Sequence, residues 1–235
     1  MKAIKADHPS TPVLERLIRA FNQAQTLSYK GRKTHPNGLA GQGNDQGPVT
    51  HQNYFLESEG GMNRIRVESS ATVLGLSVTT IFIKNEDGIW EVWADEVCEV
   101  SKIFANDQLP GVFPFFRLFA SLQYPYEVHL SEENHGGAEC IVISGELPHA
   151  PPANGPDIAK EFTYRVGKVD GVLVSIHERT FAKLSVDLEL DKLELNQPLD
   201  PALFKLPDKP RIVLSSLEQY MSLRNQAMTK RLMSA

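Results

Sequence analysis

The residue types that most often carry chemistry, histidine and cysteine, are scattered along this 235-residue sequence. No histidine stands at ligand spacing from another histidine or a cysteine, and neither HExxH nor GxSxG occurs. Cys98 and Cys140 lie outside any CxxC motif, so we expect no metal site and no cofactor. The two cysteines are either separate core residues or partners in a disulfide, and the sequence leaves both alternatives open. The histidines are His8, His35, His51, His129, His135, His149 and His177.

Carboxylates offer a second route to chemistry, because a close pair can act as general acid and base. Glu57, Glu68 and Glu178 fall on different predicted strands, and nothing in the sequence selects a pair among them. The GQG that begins at Gly41 lacks the full glycine pattern and the following helix of a nucleotide-binding loop. We therefore expect a protein without catalytic residues, although a cavity that gathers titratable groups would reopen the alternative of a hydrolase or isomerase.

The overall charge narrows the class of partner. A net charge of −5 argues against nucleic acid, whose binding proteins carry a basic face or stripe. It also disfavours attachment to a membrane surface through basic residues. The longest apolar runs are too short to span a bilayer. The first residues, MKAIKADHPSTP, lack the apolar region of a signal peptide. The protein is thus expected either to be cytoplasmic or to begin after a cleaved signal.

The elements that must position any site are mostly strands. Thr11 can cap a first helix and Pro12 suits its first position, with an apolar stripe that ends near Ala24. Glycine-containing turns at residues 85–88 and 169–171 predict two hairpins. Strands are predicted at 26–32, 51–58, 63–69, 77–84, 89–94, 96–101, 126–130, 138–145, 161–166, 172–180 and 184–195.

Two further helices are predicted from sequence period. Residues 114–124 (PFFRLFASLQY) change from strand to helical spacing. Near the C-terminus, Ser215 and Glu218 have the spacing of a capping box, and a loose apolar side follows. That side consists of Leu217, Tyr220, Met221, Met228 and Leu232.

Strand alternation indicates that the sheet is unevenly covered. From Leu184 to Leu190, leucine and valine alternate with Ser185, Asp187 and Glu189, which predicts one buried and one solvated face. The acidic side is expected to be solvated rather than to bind calcium. Residues 89–94 differ, because both faces are apolar. This favours a sheet covered on both sides, or one whose second face lines a cavity.

The order of elements resembles the LolA/LolB-like superfamily of periplasmic lipoprotein carriers and RseB-type sensor domains. The residues that carry the resemblance run from the first helix to about Pro210. They are TLSYKGR at residue 26, NRIRVES at residue 63, IFIKNEDGIWEVWADEVCEV at residue 81 and LSVDLELDKLELNQPLDPALFKLPDKP at residue 184.

The resemblance implies an α+β, mainly β, fold. A curved, unclosed antiparallel sheet (a half-barrel) has helices over its concave face, and an apolar cavity lies between them. In the carriers this cavity takes acyl chains, and an arginine on an early strand latches the cover; Arg66 is the matching position. The glycine-rich loop after the first strand and the helix after Pro210 have no counterpart in the carriers.

The resulting expectation is a non-catalytic periplasmic carrier of lipid or acylated protein, with an envelope sensor or protein-interaction module as the alternative. An envelope protein partner and peripheral membrane contact stay open. Residues 1–210 are expected to form the LolA-like domain and 211–235 a helical appendage. The residues expected to contact the ligand are Tyr29, Phe55, Arg66, Phe82, Trp90, Phe119, Val186 and Leu188.

Overall fold

The computed structural model of the chain describes residues 9, 11–34, 49–59, 62–73, 76–93, 95–104, 126–149, 159–181 and 185–233. The helices are α1 (Thr11–Gln23) and α2 (Leu217–Met233), and a 3-10 helix spans Pro201–Phe204. The strands are β1 Thr26–Thr34, β2 Thr50–Glu59, β3 Met62–Val73, β4 Leu76–Asn85, β5 Gly88–Val92, β6 Val97–Glu99, β7 Glu127–His135, β8 Ala138–Glu146, β9 Ala159–Gly167, β10 Leu173–Thr180, β11 Ser185–Leu195 and β12 Arg211–Val213.

The strands form an open sheet in the order β12-β6-β5-β4-β3-β2-β1-β11-β10-β9-β8-β7. The mainly β fold predicted from the sequence is therefore confirmed. Most of the described pairs are antiparallel, but β12 runs parallel to β6, with Ile212 opposite Cys98. A chain that reaches an edge strand after a long excursion can add it in either direction, whereas hairpin neighbours must be antiparallel.

Local turn chemistry explains the two predicted hairpins. Between β4 and β5, the Asn85 side chain accepts a hydrogen bond from the Asp87 amide at 3.0 Å, and Gly88 has φ of +140°. Between β9 and β10, the Asp170 carboxylate accepts from the Val172 amide at 3.0 Å, and Gly171 has φ of +68°. Only glycine enters this region of φ without strain, so both turns are set by local sequence.

The C-terminal helix is present, but its cap lies one residue later than predicted. The Gln219 amide donates to the Ser216 hydroxyl at 3.2 Å, and the Gln219 side chain accepts from the Ser215 amide at 3.1 Å. Ser216 is thus the N-cap, and the Gln219 side chain reaches back to the amide of Ser215, the residue before the cap. The apolar side also differs from the prediction, because Leu217 and Met221 are exposed while Tyr220 is buried.

The chain divides into two compact units. Unit I comprises residues Met1–Gln23, Lys30–Val49 and Phe113–Leu193, and unit II comprises Ala24–Tyr29, Thr50–Val112 and Glu194–Ala235. Unit I therefore holds α1 and β7–β10, and unit II holds β2–β6, β12 and α2. The predicted domain division at residue 210 stays a prediction, and the predicted helix over 114–124 lies outside the described residues.

Candidate functional site

Strand register in unit II defines two faces across β2, β3, β4, β5 and β6. Directly opposed residues of antiparallel strands point to the same face of a sheet. The first face, here called the Phe82 face, contains Tyr54, Val67, Phe82, Glu91 and Cys98. The second, the Trp90 face, contains Phe55, Arg66, Ile83, Trp90 and Glu99.

The Phe82 face is an apolar wall. Tyr54, Val67 and Phe82 follow one another across three strands, and each is at most 3% exposed. At its β1 end the Tyr29 ring stacks on Tyr54, with centroids 5.1 Å apart and planes 11° from parallel. The Tyr29 hydroxyl donates to the buried Gln52 side chain at 2.7 Å. This bond lets two polar groups lie within the wall without leaving either unsatisfied.

Helix α2 covers the other end of the Phe82 face. Tyr220 packs in a buried cluster with Phe82, and the Phe104 ring meets both in edge-to-face geometry, with centroid distances of 5.3 Å to Tyr220 and 6.3 Å to Phe82. Such aromatic pairs add to the stabilisation given by buried area. The buried members are Phe82, Ile89, Cys98, Val100, Leu214 and Tyr220.

One carboxylate lies in this apolar surface. Glu91 is 2% exposed, and its Oε1 accepts a hydrogen bond from Arg224 Nε of α2 at 3.2 Å. Its Oε2 has no hydrogen-bond partner in the part of the chain that is described. Burial, together with the charge of Glu91, raises the pKa of the Tyr220 hydroxyl. Burial and the nearby carboxylates raise the pKa of the Cys98 thiol to about 12. The thiol therefore stays protonated and unreactive.

The Trp90 face is covered by the segment that contains the 3-10 helix. Arg66 donates from Nη1 to the Leu203 carbonyl at 3.0 Å and from Nε to Glu68 at 2.6 Å. Asn85 donates to the Phe204 carbonyl at 3.1 Å, and Phe204 is buried. The capping carboxylate of Asp200 accepts from the Ala202 amide and starts the 3-10 turn. The Arg66 side chain thus holds the covering segment by a hydrogen bond to the backbone of that segment.

The Trp90 ring is buried on this same face. The guanidinium of Arg211 lies over it, 5.5 Å from the ring centroid. Its indole nitrogen has no hydrogen-bond partner among the described residues. Phe82 and Trp90 are thus buried on opposite faces of the same part of the sheet, as the apolar residues on both faces of 89–94 predicted.

The predicted ligand contacts are divided by this geometry. Tyr29 and Phe82 belong to one surface, the Phe82 face, whereas Phe55, Arg66 and Trp90 share the Trp90 face. A cavity on one face of a sheet can be lined by only one of these sets. Val186 and Leu188 lie in unit I, and Phe119 lies outside the described residues.

Sequence analysis missed the residues that complete the Phe82 face. Tyr54 and Val67 are ordinary strand residues, and only their register aligns them with Phe82. Glu91 did give a signal, because a carboxylate between two tryptophans on an apolar strand needs a buried partner. That partner, Arg224, lies 133 residues away and could not be identified before the packing of α2 was known.

Unit I has a different arrangement, with one apolar and one polar face. Phe162, Tyr164, Ile176 and Leu188 are at most 1% exposed. The Tyr164 hydroxyl donates to the Glu178 carboxylate at 3.2 Å, and burial raises the pKa of the hydroxyl. On the polar face Asp187 and Glu189 of β11 are engaged in ion pairs, whereas the sequence analysis expected the acidic residues of this strand to be solvated. The ion pairs there are His177–Asp187, His135–Glu189, Arg165–Glu133 and Arg179–Glu161.

The described residues set limits on the chemistry of the two units. Within them, no three His, Cys, Asp or Glu side chains are placed to hold a metal ion. Cys98 and Cys140 are both free and buried, so the first alternative for the cysteines is the one observed. The helices of the described part are too short or too polar to span a membrane.

No protein-family model and no curated protein matches this sequence. Among solved structures, an uncharacterized conserved protein from Thermus thermophilus is 9% identical with a TM-score of 0.48, over 88% of this chain and 100% of its own. MucB is 15% identical with a TM-score of 0.48, over 87% of this chain and 65% of MucB. Pseudomonas aeruginosa MucB is also matched in its complex with MucA.

A LolA superfamily protein from Nitrosomonas europaea is 9% identical with a TM-score of 0.29, over 84% of this chain and 97% of its own. The matched structures thus include the superfamily that the sequence resembles. At these identities the likeness concerns the fold alone.

Proposed function

We propose that this protein is a non-catalytic carrier of the cell envelope that binds lipid or the acyl chains of a lipoprotein against the Phe82 face. The observation that supports the proposal is the apolar wall of Tyr54, Val67 and Phe82, which crosses three strands without a charge. An acyl chain laid on such a wall gains about 0.8 kcal/mol for each methylene removed from water, and needs no specific polar contact.

The cover of this wall supports a carrier rather than a permanently closed core. Tyr220 and Phe104 shield the Phe82 end, and the buried carboxylate in this contact, Glu91, is bound to Arg224. A carrier must open to load and release its cargo. A cover fixed by a few aromatic contacts and one ion pair can open at lower cost than a fully interdigitated helix.

The location in the periplasm is part of the same proposal and follows from the resemblance of the sequence to periplasmic carriers. The direct test is native mass spectrometry of the protein purified from a bacterial envelope without detergent, followed by lipid extraction. We expect bound acyl species whose masses match envelope lipids. A ligand-free protein that also fails to displace a fluorescent fatty acid would contradict the proposal.

Two adjacent residues of β2 provide a matched pair of variants that tests which face of the sheet binds the ligand. Leu56 and Phe55 are both half-buried, but they point to the Phe82 face and the Trp90 face respectively. We expect Leu56→Glu to weaken fatty-acid binding at least tenfold and Phe55→Glu to leave it nearly unchanged, because only the first places a charge on the proposed wall. The reverse pattern would move the site to the face that contains Arg66.

A second function, a sensor or protein-interaction module, is favoured by one observation on α2. Leu217 and Met221 lie one turn apart and are 59% and 46% exposed. This pair gives a partner protein an apolar surface to cover on one side of the helix. Deleting the whole helix would also remove Tyr220 from the core, so the sharper test is Leu217→Glu with Met221→Glu. Loss of co-purifying envelope protein with retained lipid would favour the sensor.

A further inference from the structure

The Phe82 face contains two buried polar atoms that have no hydrogen-bond partner among the described residues. One is Oε2 of Glu91, whose side chain belongs to a residue only 2% exposed. The other is the indole Nε1 of Trp93. The carboxylate oxygen only accepts hydrogen bonds, and the indole N–H only donates them. Because buried polar groups are nearly always hydrogen-bonded, this unsatisfied donor and acceptor point to a bound group.

The chain places these two side chains beside the apolar wall. Glu91 lies directly opposite Phe82, the wall residue on β4. Trp93 follows Glu91 by two residues, so strand alternation directs both side chains to the same face. Trp93 also packs against the buried cluster beneath α2, to which Phe82 and Tyr220 belong. Two residues of extended chain span about 6.6 Å, so both side chains can reach one small group.

The known contacts of Glu91 leave its second oxygen unsatisfied. Arg224 donates to Oε1, the other oxygen of the carboxylate. Burial and the charge of Glu91 raise the pKa of the neighbouring Tyr220 hydroxyl, but in the described structure this hydroxyl makes no hydrogen bond to Oε2. The ion pair that fixes α2 therefore does not account for the second oxygen of Glu91.

We propose that Glu91 and Trp93 form the head-group subsite of the carrier, which binds an uncharged group able both to donate and to accept a hydrogen bond. The inference rests on the proposed function, because the acyl chain of the same ligand would lie across Phe82, Val67 and Tyr54. These three residues lie on consecutive strands. With strands about 4.8 Å apart, the wall leads about 14 Å away from Glu91.

The hydrogen-bonding properties of head groups explain this choice. A hydroxyl accepts from the Trp93 N–H and donates to Oε2 of Glu91, and a secondary amide does the same through its carbonyl and its N–H. An ester only accepts, so it leaves the Glu91 oxygen unsatisfied. A carboxylate has the same defect and adds a second negative charge in a buried place. An ammonium group only donates and leaves the indole N–H unsatisfied.

Competition against a fluorescent fatty acid tests the subsite with four compounds that share the dodecyl chain. They are dodecanol, N-methyldodecanamide, methyl dodecanoate and, near pH 8, dodecanoate. We expect the alcohol and the amide to bind about tenfold more tightly than the ester and the carboxylate, because only the first two satisfy both buried atoms. The alcohol represents a glyceride with a free hydroxyl, and the amide represents an acylated protein, so the tighter of the two indicates the source of the ligand.

The outcomes of this competition separate the subsite from the carrier function. Equal affinity for all four compounds overturns the subsite, since the two atoms would then bind only water, and it leaves the carrier function in place. Failure of all four compounds to compete overturns both proposals. The comparison uses the unaltered chain and does not depend on the folding of any variant.

The two tryptophans provide a matched pair of variants. The indole Nε1 of Trp90 is also buried without a described partner, but Trp90 lies on the opposite face. Phenylalanine keeps an aromatic ring and removes the N–H. We expect Trp93→Phe to weaken binding of dodecanol about fivefold to tenfold and Trp90→Phe to leave it unchanged, because only the first removes a donor from the subsite. The opposite pattern, or no difference, overturns the assignment.

A variant of the carboxylate tests the specificity of the subsite. Glu91→Gln keeps the shape of the side chain, and its amide can donate as well as accept. We expect methyl dodecanoate to bind this variant about as tightly as dodecanol does, whereas the unaltered chain prefers the alcohol. A purely structural role of Glu91 would change both affinities together, so an unchanged ratio of the two affinities overturns the role of Glu91 in the subsite.

Discussion

The two units use the same kind of strand in opposite ways. In unit II, the neighbours Phe82 and Ile83 are both buried although they point to opposite faces of the sheet. In unit I, Ile176 is buried while the next residue, His177, forms an ion pair with Asp187 on a partly exposed face. Strand period alone predicts the second arrangement, whereas the first requires covering layers on both sides. The difference shows where distant segments have been recruited to cover the sheet.

The largest expected effect comes from truncating adjacent residues in each unit. Phe82→Ala should cost about 3–5 kcal/mol and Ile83→Ala about 2–5 kcal/mol of unfolding free energy, since both leave cavities. Ile176→Ala should cost a similar amount, but His177→Ala less than about 1 kcal/mol, because it loses only a partly exposed ion pair. Urea unfolding of the four variants measures the contrast. A small cost at Ile83 would show that the Trp90 face is not truly covered.

The next effect concerns the ion pair beneath α2. Arg224→Leu should cost about 3 kcal/mol, the lower end of the range for a broken buried pair, because Arg224 itself is partly exposed. The control is Lys230→Met on the same helix, which breaks the exposed pair with Asp95 and should cost under about 1 kcal/mol. Denaturant unfolding measures the free energy of unfolding of the two variants and so compares the two costs.

A double variant checks the cause of that loss. If the cost of Arg224→Leu comes from stranding the Glu91 carboxylate in an apolar contact, then adding Glu91→Leu should restore most of the stability. A double variant as unstable as Arg224→Leu alone would mean that the guanidinium acts through its packing on Tyr220, whose ring centroid lies 5.8 Å away.

A smaller effect is expected at a close approach in unit I. Gly145 lies directly opposite Phe162, and a Cβ at position 145 would overlap the Phe162 ring. Gly145→Ala should therefore cost about 1–3 kcal/mol through overpacking. Ser144→Ala, the half-buried neighbour on the other face, is the control. A double-mutant cycle with Phe162→Leu should show favourable coupling, and additive costs would rule out the clash.

The smallest effect is a dependence on pH from the polar face of unit I. The hydrogen bond between His177 and Asp187 raises the pKa of the imidazole above its ordinary value of 6.5. A raised folded-state pKa stabilises the fold below the unfolded pKa, and this contribution is lost as pH rises through the folded value. Asp187→Asn should thus cost under about 1 kcal/mol near pH 5.5 and almost nothing near pH 8. Asp191→Asn, exposed on the same strand, should show no such trend in the same unfolding series.

Much of the fold could be predicted because it depends on local sequence. Hairpin turns at Gly88 and Gly171, the helix that begins at Thr11 and the alternation of β11 follow from backbone freedom, capping and period. The N-cap was displaced by one residue, since Ser215 and Ser216 are both competent caps and the choice depends on how Tyr220 enters the core. The edge strand β7 proved longer than predicted, because its polar composition hides the strand period.

The candidate site could be predicted only in part from the sequence, because it depends on contacts between residues that are far apart in the chain. Apolar and aromatic residues such as Phe82 and Trp90 were identified as important, but their separation onto two faces depends on register across five strands. The pairing of Arg66 with the Leu203 carbonyl joins residues 137 positions apart. No local sequence pattern predicts a hydrogen bond to a backbone atom of a residue so far along the chain.

The sequence by itself determined most of the strands and the turns, because these depend on composition and on interactions within a few residues. The tertiary structure alone decided which segments cover the sheet, that Arg224 pairs with Glu91, that β12 runs parallel to β6, and that Asp187 and Glu189 of β11 pair with histidines. These are contacts between distant parts of the chain, and they form only where the gain from burial exceeds the entropy of closing long loops.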